Sequence, residues 1–383
     1  MIGRDISETK KRLGRLAGIA IILAASGAGV GASAETAVQP IADTQTTIEL
    51  ANDPEALRRQ GEIIVYSVDP EIRDVPGGIA LLEQSAAKGN TAAKLTLGEI
   101  YLYGLVVPPD LPRSLEYFEE IAAAGDGSGL AQYGMMLMWS EADWATAENY
   151  LIRATDLGTS SAWATLAEGA MYGYLGGGAH SRHKFDGFAE KARAANNARI
   201  EVLDAIRQMW GISMRASGPA TIAKLQAAAD VGNAEAAKFL ISLQRDGNGM
   251  NIRRDRDGAI ETLTRYSNLL SSTEIWQFNL SVQAARARDV ADYEAVAAEV
   301  TAHPEWITKP LGVELQRANE NAAIYVLQTR LQARGLYSGP LNGLATRSTI
   351  HAMYHGCDRI LNRASCDDSV MRPDVIAALL TAK

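Results

Sequence analysis

The sequence predicts an all-α protein, an α-solenoid of stacked helix pairs followed by a small helical bundle. Three observations predict it. Aromatic residues make up only 6% of 383 positions while Gly supplies 34, a composition that disfavours a β-sandwich and suits closely packed helices. A helix-ending signature recurs at Gly89, Gly125, Gly158, Asn196 and Gly232, in steps of 36, 33, 38 and 36 residues, and a period of that size marks a repeat architecture. Fifteen positions after each stands Gly104, Ser140, Gly173, Gly211 or Gly247, glycine in four cases of five.

The chain opens on an address. Arg4, Lys10, Lys11, Arg12 and Arg15 form a basic start, Leu16 to Leu23 begin an apolar run, and Ala32-Ser33-Ala34 matches a cleavage site. Residues 1–34 are therefore expected to be a signal peptide, with an uncleaved inner-membrane anchor as the alternative. The whole chain carries 37 Lys and Arg against 45 Asp and Glu, a net charge of -8. Without the leader the balance is more acidic still, which argues against nucleic acid as a partner. Residues 35–52 have the composition of a disordered linker.

Residues 53–300 carry the repeats. Each unit splits into two helical patterns. Four positions before the helix-ending residue stand Ser85, Ile121, Ala154, Ala192 and Ala228, mostly small, and eight before it stand the large Leu81, Tyr117, Tyr150 and Phe188. Gly or Asn supplies a left-handed cap, and small faces allow helices to approach. The run Leu97-Gly98-x-x-Tyr101-x-x-Gly104, then Ser114-Leu115-Glu116-Tyr117-x-x-x-Ile121-Ala122-x-x-Gly125, resembles the Sel1-like repeat family, relatives of tetratricopeptide repeats. The resemblance implies a right-handed α-solenoid, a structural role for Gly89, Gly98, Gly104, Gly125, Gly158, Gly173, Gly232 and Gly247, and an adaptor that binds protein partners. The fourth unit departs from the pattern, with Arg193, Asn196 and Arg199 where small residues are usual and Gly176-Gly177-Gly178 ahead of it. Aromatics such as Tyr101, Tyr103, Trp139 and Tyr172 follow the repeat spacing and are expected between repeats, with a glycan-stacking platform as the other reading.

Pro304 and Pro310 interrupt the pattern, so 301–320 reads as a linker. In 321–383, Val326-Leu327-Gln328-x-x-Leu331-x-x-x-Gly335-Leu336-Tyr337-x-Gly339-x-x-Asn342-Gly343, then Thr346, Thr349 and Ala352, resembles the peptidoglycan-binding-like domain. The resemblance implies a three-helix bundle and makes Tyr337, Asn342, Arg347 and Tyr354 candidate glycan-binding residues. Helix stripes and turns at Gly339-Pro340 and Asn342-Gly343 support that layout independently. Cys357 and Cys366 are expected to form a disulfide in an oxidising compartment, the periplasm. His355-Gly356-Cys357-Asp358-Arg359 also resembles in passing the signature of L,D-transpeptidases, cell-wall enzymes that use the cysteine as nucleophile. That chemistry needs a β-rich domain, and no alternating strands precede it.

His180 with His183, and His351 with His355, are pairs at metal-ligand spacing without a third ligand, so no metal and no cofactor are expected. The protein is read as a non-enzymatic periplasmic adaptor with a periplasmic or membrane protein partner, and with peptidoglycan or another polysaccharide as a further partner. Exopolysaccharide or envelope assembly, or its regulation, is the expected setting. The alternatives are a cell-wall-active enzyme and a glycan-binding protein.

Overall fold

A computed structural model describes residues 53–381 apart from 68–70, 105, 141–142, 362–365 and 367–368. The expected leader and the linker 35–52 lie outside the described residues. Eighteen α-helices make up the described fold, with short 3-10 turns and no strand among the described residues. Twelve form antiparallel pairs: α1 (Pro54–Tyr66) with α2 (Val75–Ala87), α3 (Thr91–Tyr103) with α4 (Leu111–Ala123), and α5 (Ser128–Trp139) with α6 (Trp144–Asp156). The series continues with α7 (Ala162–Tyr172) and α8 (Phe185–Ala194), α9 (Arg199–Trp210) and α10 (Gly218–Asp230), and α11 (Ala234–Asp246) and α12 (Arg256–Arg265).

The ends of these helices follow from local chemistry. Asp74, Asn90, Asp110, Asp143, Ser217, Asn233 and Asp255 each accept a hydrogen bond from a backbone N–H in the first turn that follows, satisfying donors the helix leaves free. The five helix-ending residues all have positive φ, +89° at Gly89 and +54° at Asn196 among them. Each cap carries the same bond pair: Gly89 N to Ala86 O with Asn90 N to Ser85 O, repeated at Gly125, Gly158, Asn196 and Gly232. That is the Schellman arrangement, and the small residue four positions back is its carbonyl acceptor. Of the second series, Gly104, Gly173, Gly211 and Gly247 have positive φ, whereas Ser140 stays helical at φ -77°.

The large residues eight before the cap are not the buried row of these helices. Leu81, Tyr117, Tyr150 and Phe188, eight before the cap, are only partly buried. Seven before it, Leu82, Phe118, Leu151, Ala189 and Leu225 are all at 0% exposure. Burying such a Leu or Phe stabilises by about 1.5–3 kcal/mol. Only the fourth unit has Ala there, and α8 touches α9 along much less of its length than other successive helices do. Gly98 serves this packing, because a Cβ there would run into the Phe118 ring.

Helices α3, α5, α7, α9, α11 and α13 (Ser272–Arg286) pack side by side in one file, while the even-numbered helices from α2 to α12 form no comparable row. The file is therefore the inner, concave layer of a curved stack. Curvature is strong enough that Arg73, Asp74, Val75 and Pro76 of the first pair line one cavity of about 550 Å³ together with Asp358 and Leu361 near the C-terminus.

The expected linker 301–320 is instead structured. It contains α15 (Lys309–Ala318), whose Leu311, Val313 and Leu315 are buried. Gly312 lets α15 lie directly on Ala377 of α18 (Pro373–Thr381). An apolar face of this size holds the segment in place despite its prolines, because Pro310 sits in the first turn of α15, where no backbone N–H is needed. Helices α16 (Glu320–Ala333), α17 (Arg347–Ile360) and α18 touch one another as the small bundle. Their core runs on without a break into α13 and α14 (Val290–Ala302) through Leu280, Tyr293, Val296 and Ile324.

Candidate functional site

Four successive helices of the inner file carry a large ring just ahead of the capping position, Tyr103, Trp139, Tyr172 and Trp210, and the fifth has Asp246 there. Tyr103 is 42% exposed, and the other three are partly exposed. Polar rungs tie one repeat to the next along the same face. Thr96 donates to Glu62 at 2.9 Å. Gln132 donates to Glu99 at 2.7 Å and accepts from the Tyr103 hydroxyl at 3.1 Å. Arg199 pairs with Glu168, and Lys238 with Glu274 at 3.3 Å. Burial raises the Glu99 carboxyl above its ordinary value, with the Gln132 hydrogen bond opposing. Burial raises Glu168 as well, and the Arg199 charge and hydrogen bond only partly offset it.

The file is densest at its middle. Trp139 meets Tyr172 at 5.9 Å and Tyr174 at 5.6 Å, and Trp144 stacks on Tyr174 at 5.4 Å. The Gly-rich loop beside this cluster is pinned by Glu148, which accepts from Gly176 N at 3.0 Å and pairs with Lys184 at 2.7 Å. His180 and His183 lie on the exposed 3-10 turn Gly178–Lys184. Tyr101 is buried within the α3/α4 pair, stacked 6.2 Å from Tyr117 with the Arg113 guanidinium 4.4 Å from its ring centre. Tyr101 is thus packing, Trp139 and Tyr172 pack on the core and on each other across successive repeats with part of each ring exposed, and Tyr103 is the most exposed of the four.

The four candidate glycan-binding residues do not form one site. Tyr337 is buried and its hydroxyl donates to Pro340 O at 2.9 Å. Asn342 accepts from Leu344 N, and both residues belong to a network around the fully buried Gln328. The Gln328 amide donates to Asn342 Oδ1, Leu344 O and Thr349 Oγ1, while its oxygen accepts from the backbone of Asn342 and Gly343. One buried amide thus shapes the whole turn. Arg347 and Tyr354, seven residues apart on α17, remain on its exposed side. Sequence reasoning missed Gln328 as a centre, although a Gln inside the apolar stripe Ile324, Leu327, Leu331 was a visible signal.

Cys357 and Cys366 are joined in a disulfide, with Cα atoms 6.4 Å apart and both side chains at 0% exposure. Cys357 sits within α17, so the bonded, buried sulfur offers no thiolate for attack. His351 and His355 lie one turn apart on the exposed side of the same helix, with ring centres 4.5 Å apart. Among the described residues, no three His, Cys, Asp or Glu side chains converge as a metal site, and no helix is long and apolar enough to cross a membrane.

A second site went unnoticed in the sequence. Arg245 is at 0% exposure on α11, paired with Asp246 at 2.7 Å and with Glu314 of α15 at 2.7 Å. Ser242 donates to Glu314 at 3.1 Å, and Arg317 lies 3.3 Å from it. Burial works against the Glu314 charge, but Arg245 and Arg317 outweigh it and hold the carboxyl below its ordinary range. This network fixes the last repeat pair to the C-terminal bundle.

The chain matches no family profile and no curated protein. Among solved structures it is similar to a Sel1 repeat protein from Oxalobacter formigenes, at 19% identity and a TM-score of 0.39, over 58% of this chain and 90% of that one. It is also similar to a protective antigen of uropathogenic Escherichia coli strains displaying an SLR fold, at 16% identity and a TM-score of 0.36, over 88% of this chain and 77% of that one. Likeness this distant adds no weight, and the assignment as an all-helical α-solenoid stands on the helix pairs and their inner file.

Proposed function

We propose that the protein is a non-enzymatic adaptor of the cell envelope whose inner face holds an extended segment of a protein partner. The observation that carries this reading is the file of rings on four successive inner helices packed side by side. Trp139 and Tyr172 meet at 5.9 Å, so the rings run together as an aromatic strip that would receive apolar side chains of such a segment, and the polar rungs beside it offer partners to its backbone. The leader-like residues 1–34 and the disulfide support a periplasmic setting.

The C-terminal bundle, held to the last repeat by Arg245 and Glu314, would present Arg347 and Tyr354 to a wall glycan. Two roles fit this layout, a scaffold for exopolysaccharide or wall assembly and a regulator that restrains a membrane sensor protein. A photo-crosslinking residue at Tyr103, Tyr172 or Trp210, compared with Glu116 and Glu190 on even-numbered helices, tests the reading in cells. Discrete protein adducts from the inner positions alone are expected. Equal yields from both sets, or none from the inner one, would remove the inner face as the binding surface. Co-sedimentation with purified sacculi at moderate salt tests the bundle separately, with loss expected in Arg347→Ala/Tyr354→Ala.

A further inference from the structure

Where the repeats end, α14 packs chiefly on α16 instead of lying along α13, and the helices splay. The result is a cleft of about 420 Å³ between α12, α13 and α14, inside the range that small-ligand sites occupy. One wall is the face of α13 that carries Trp276, Asn279, Gln283 and Arg286, and the opposite wall, on α14, carries Asp292 and Glu299. The spacing is helical on both sides, so each row points across the gap.

Trp276 is held edge-on by its neighbours. Its ring centre lies 5.4 Å from His303 and 5.5 Å from Trp306, and those two stack on each other at 4.7 Å. Gln277, on the buried side of α13, donates to Trp306 O at 2.9 Å and to Thr308 Oγ1 at 2.8 Å, which fixes the segment beneath. The indole is therefore a rigid wall. Arg286 is already committed to Asp257 at 2.5 Å, and Asp292 accepts from Arg288 N at 2.7 Å. The side chains of Gln283 and Glu299 make no hydrogen bond within the described structure.

We propose that this cleft binds an uncharged oligosaccharide. An aromatic face attracts the polarised C–H groups on the flat side of a pyranose. Amide and carboxylate groups alongside it can accept from and donate to ring hydroxyls, Gln283 in both directions and Glu299 as acceptor. The one lining cation, Arg286, is already paired with Asp257, so the Asp292 and Glu299 carboxylates leave a surplus of negative charge that disfavours an acidic ligand. α13 belongs to the inner file, but none of the rings or polar rungs of the adaptor reading, and no residue of the C-terminal bundle, lines the cleft, so the inference does not rest on that reading.

The test is isothermal titration of the full-length mature chain with cellohexaose, maltohexaose and chitohexaose, and with hexagalacturonate as the acidic control. Saturable binding of at least one neutral hexasaccharide is expected. Trp276→Ala should weaken it tenfold or more, and Tyr354→Ala on α17 should leave it unchanged. Should Trp276→Ala not fold, Gln283→Ala/Glu299→Ala replaces two unbonded side chains and should weaken binding by at least fivefold. No binding of any neutral hexasaccharide at millimolar concentration, binding of the acidic one alone, or affinity unchanged in a folded cleft variant would each overturn the proposal.

Discussion

The repeats and the C-terminal region are built from helices of similar length, yet they are held together by different means. From α1 to α12 the recurring devices are local: a side-chain cap, a Schellman turn, a buried residue seven positions before it, and a polar rung to the next repeat. Each involves neighbours along the chain or one repeat away, as expected of a quasi-one-dimensional stack. In the C-terminal region the devices are single and unrepeated. Arg245 reaches Glu314, Gln328 organises a turn and the next helix, and Cys357 is bonded to Cys366. The first arrangement tolerates a weak unit such as the fourth. The second concentrates stability in a few groups whose loss has no local remedy.

The largest effect should therefore come from Arg245→Ala. It leaves the largely buried Glu314 and the partly exposed Asp246 without their main counter-charge, and breaking a buried pair costs about 3–5 kcal/mol. Urea unfolding should show the loss and a separation into two transitions, because the repeats no longer unfold with the bundle. A single transition with unchanged midpoint would mean that the junction is not the coupling point. Glu314→Ala combined with Arg245→Ala should lose less than the sum of the two. Cys357→Ser/Cys366→Ser comes next. The bridge spans nine residues, and a loop that short is worth about 2.5 kcal/mol in the chain-entropy account. The expected drop in melting temperature should match that of the parent protein under reducing conditions.

The same contrast explains what was legible in the sequence. The repeat caps were readable because a left-handed turn demands Gly or Asn at one position and leaves a mark at every step. The buried row seven before each cap was not legible, because large residues such as Tyr117, Tyr150 and Phe188 stand beside it and only burial distinguishes the two rows. Arg245 reads as an ordinary basic residue near a helix end, and nothing local ties it to Glu314, which lies in a different helix. Residues 301–320 looked like a linker because prolines dominate the local signal, whereas the apolar face of α15 has value only once α18 lies against it. Trp276 is silent for the same reason: the cleft exists through the divergence of α14, a property of tertiary packing.

Acid titration should separate the two regions by sign. Glu314 at the junction has a lowered pKa, so the stability it contributes is present above its unfolded value and is lost as pH falls through the folded one. Glu168 within the repeats has a raised pKa, so its contribution is greatest below the unfolded value and is lost as pH rises through the folded one. Glu314→Gln should accordingly lower stability at pH 7 and flatten the acid limb of the stability curve. Glu168→Gln keeps an acceptor for Arg199 and should reduce the dependence near and above the ordinary glutamate range. The same pH response in both variants would mean that the environments are not opposed.

The smallest effects lie in the caps, where uniformity is the informative result. Gly89, Gly125, Gly158 and Gly232 have φ between +86° and +94°, and a Cβ at each would meet nothing within 4 Å. Replacement by Ala therefore carries only the backbone penalty of the left-handed region, about 1 kcal/mol, and should carry it equally at all four. Gly343 in the C-terminal region also has positive φ, but there a Cβ would press on Asn321 O at 2.5 Å and on the Tyr293 ring. Gly343→Ala should cost more than any repeat cap because it adds a clash to the same backbone term. Asn196 already occupies the left-handed region as a residue that tolerates it, so Asn196→Gly should change stability by only ~0.3 kcal/mol. Equal losses at the four repeat glycines with a larger loss at Gly343, measured by chemical unfolding, would show that the first region is stabilised unit by unit and the second by its shared interior. Unequal losses among the four would mean that the repeats are coupled beyond their nearest neighbours.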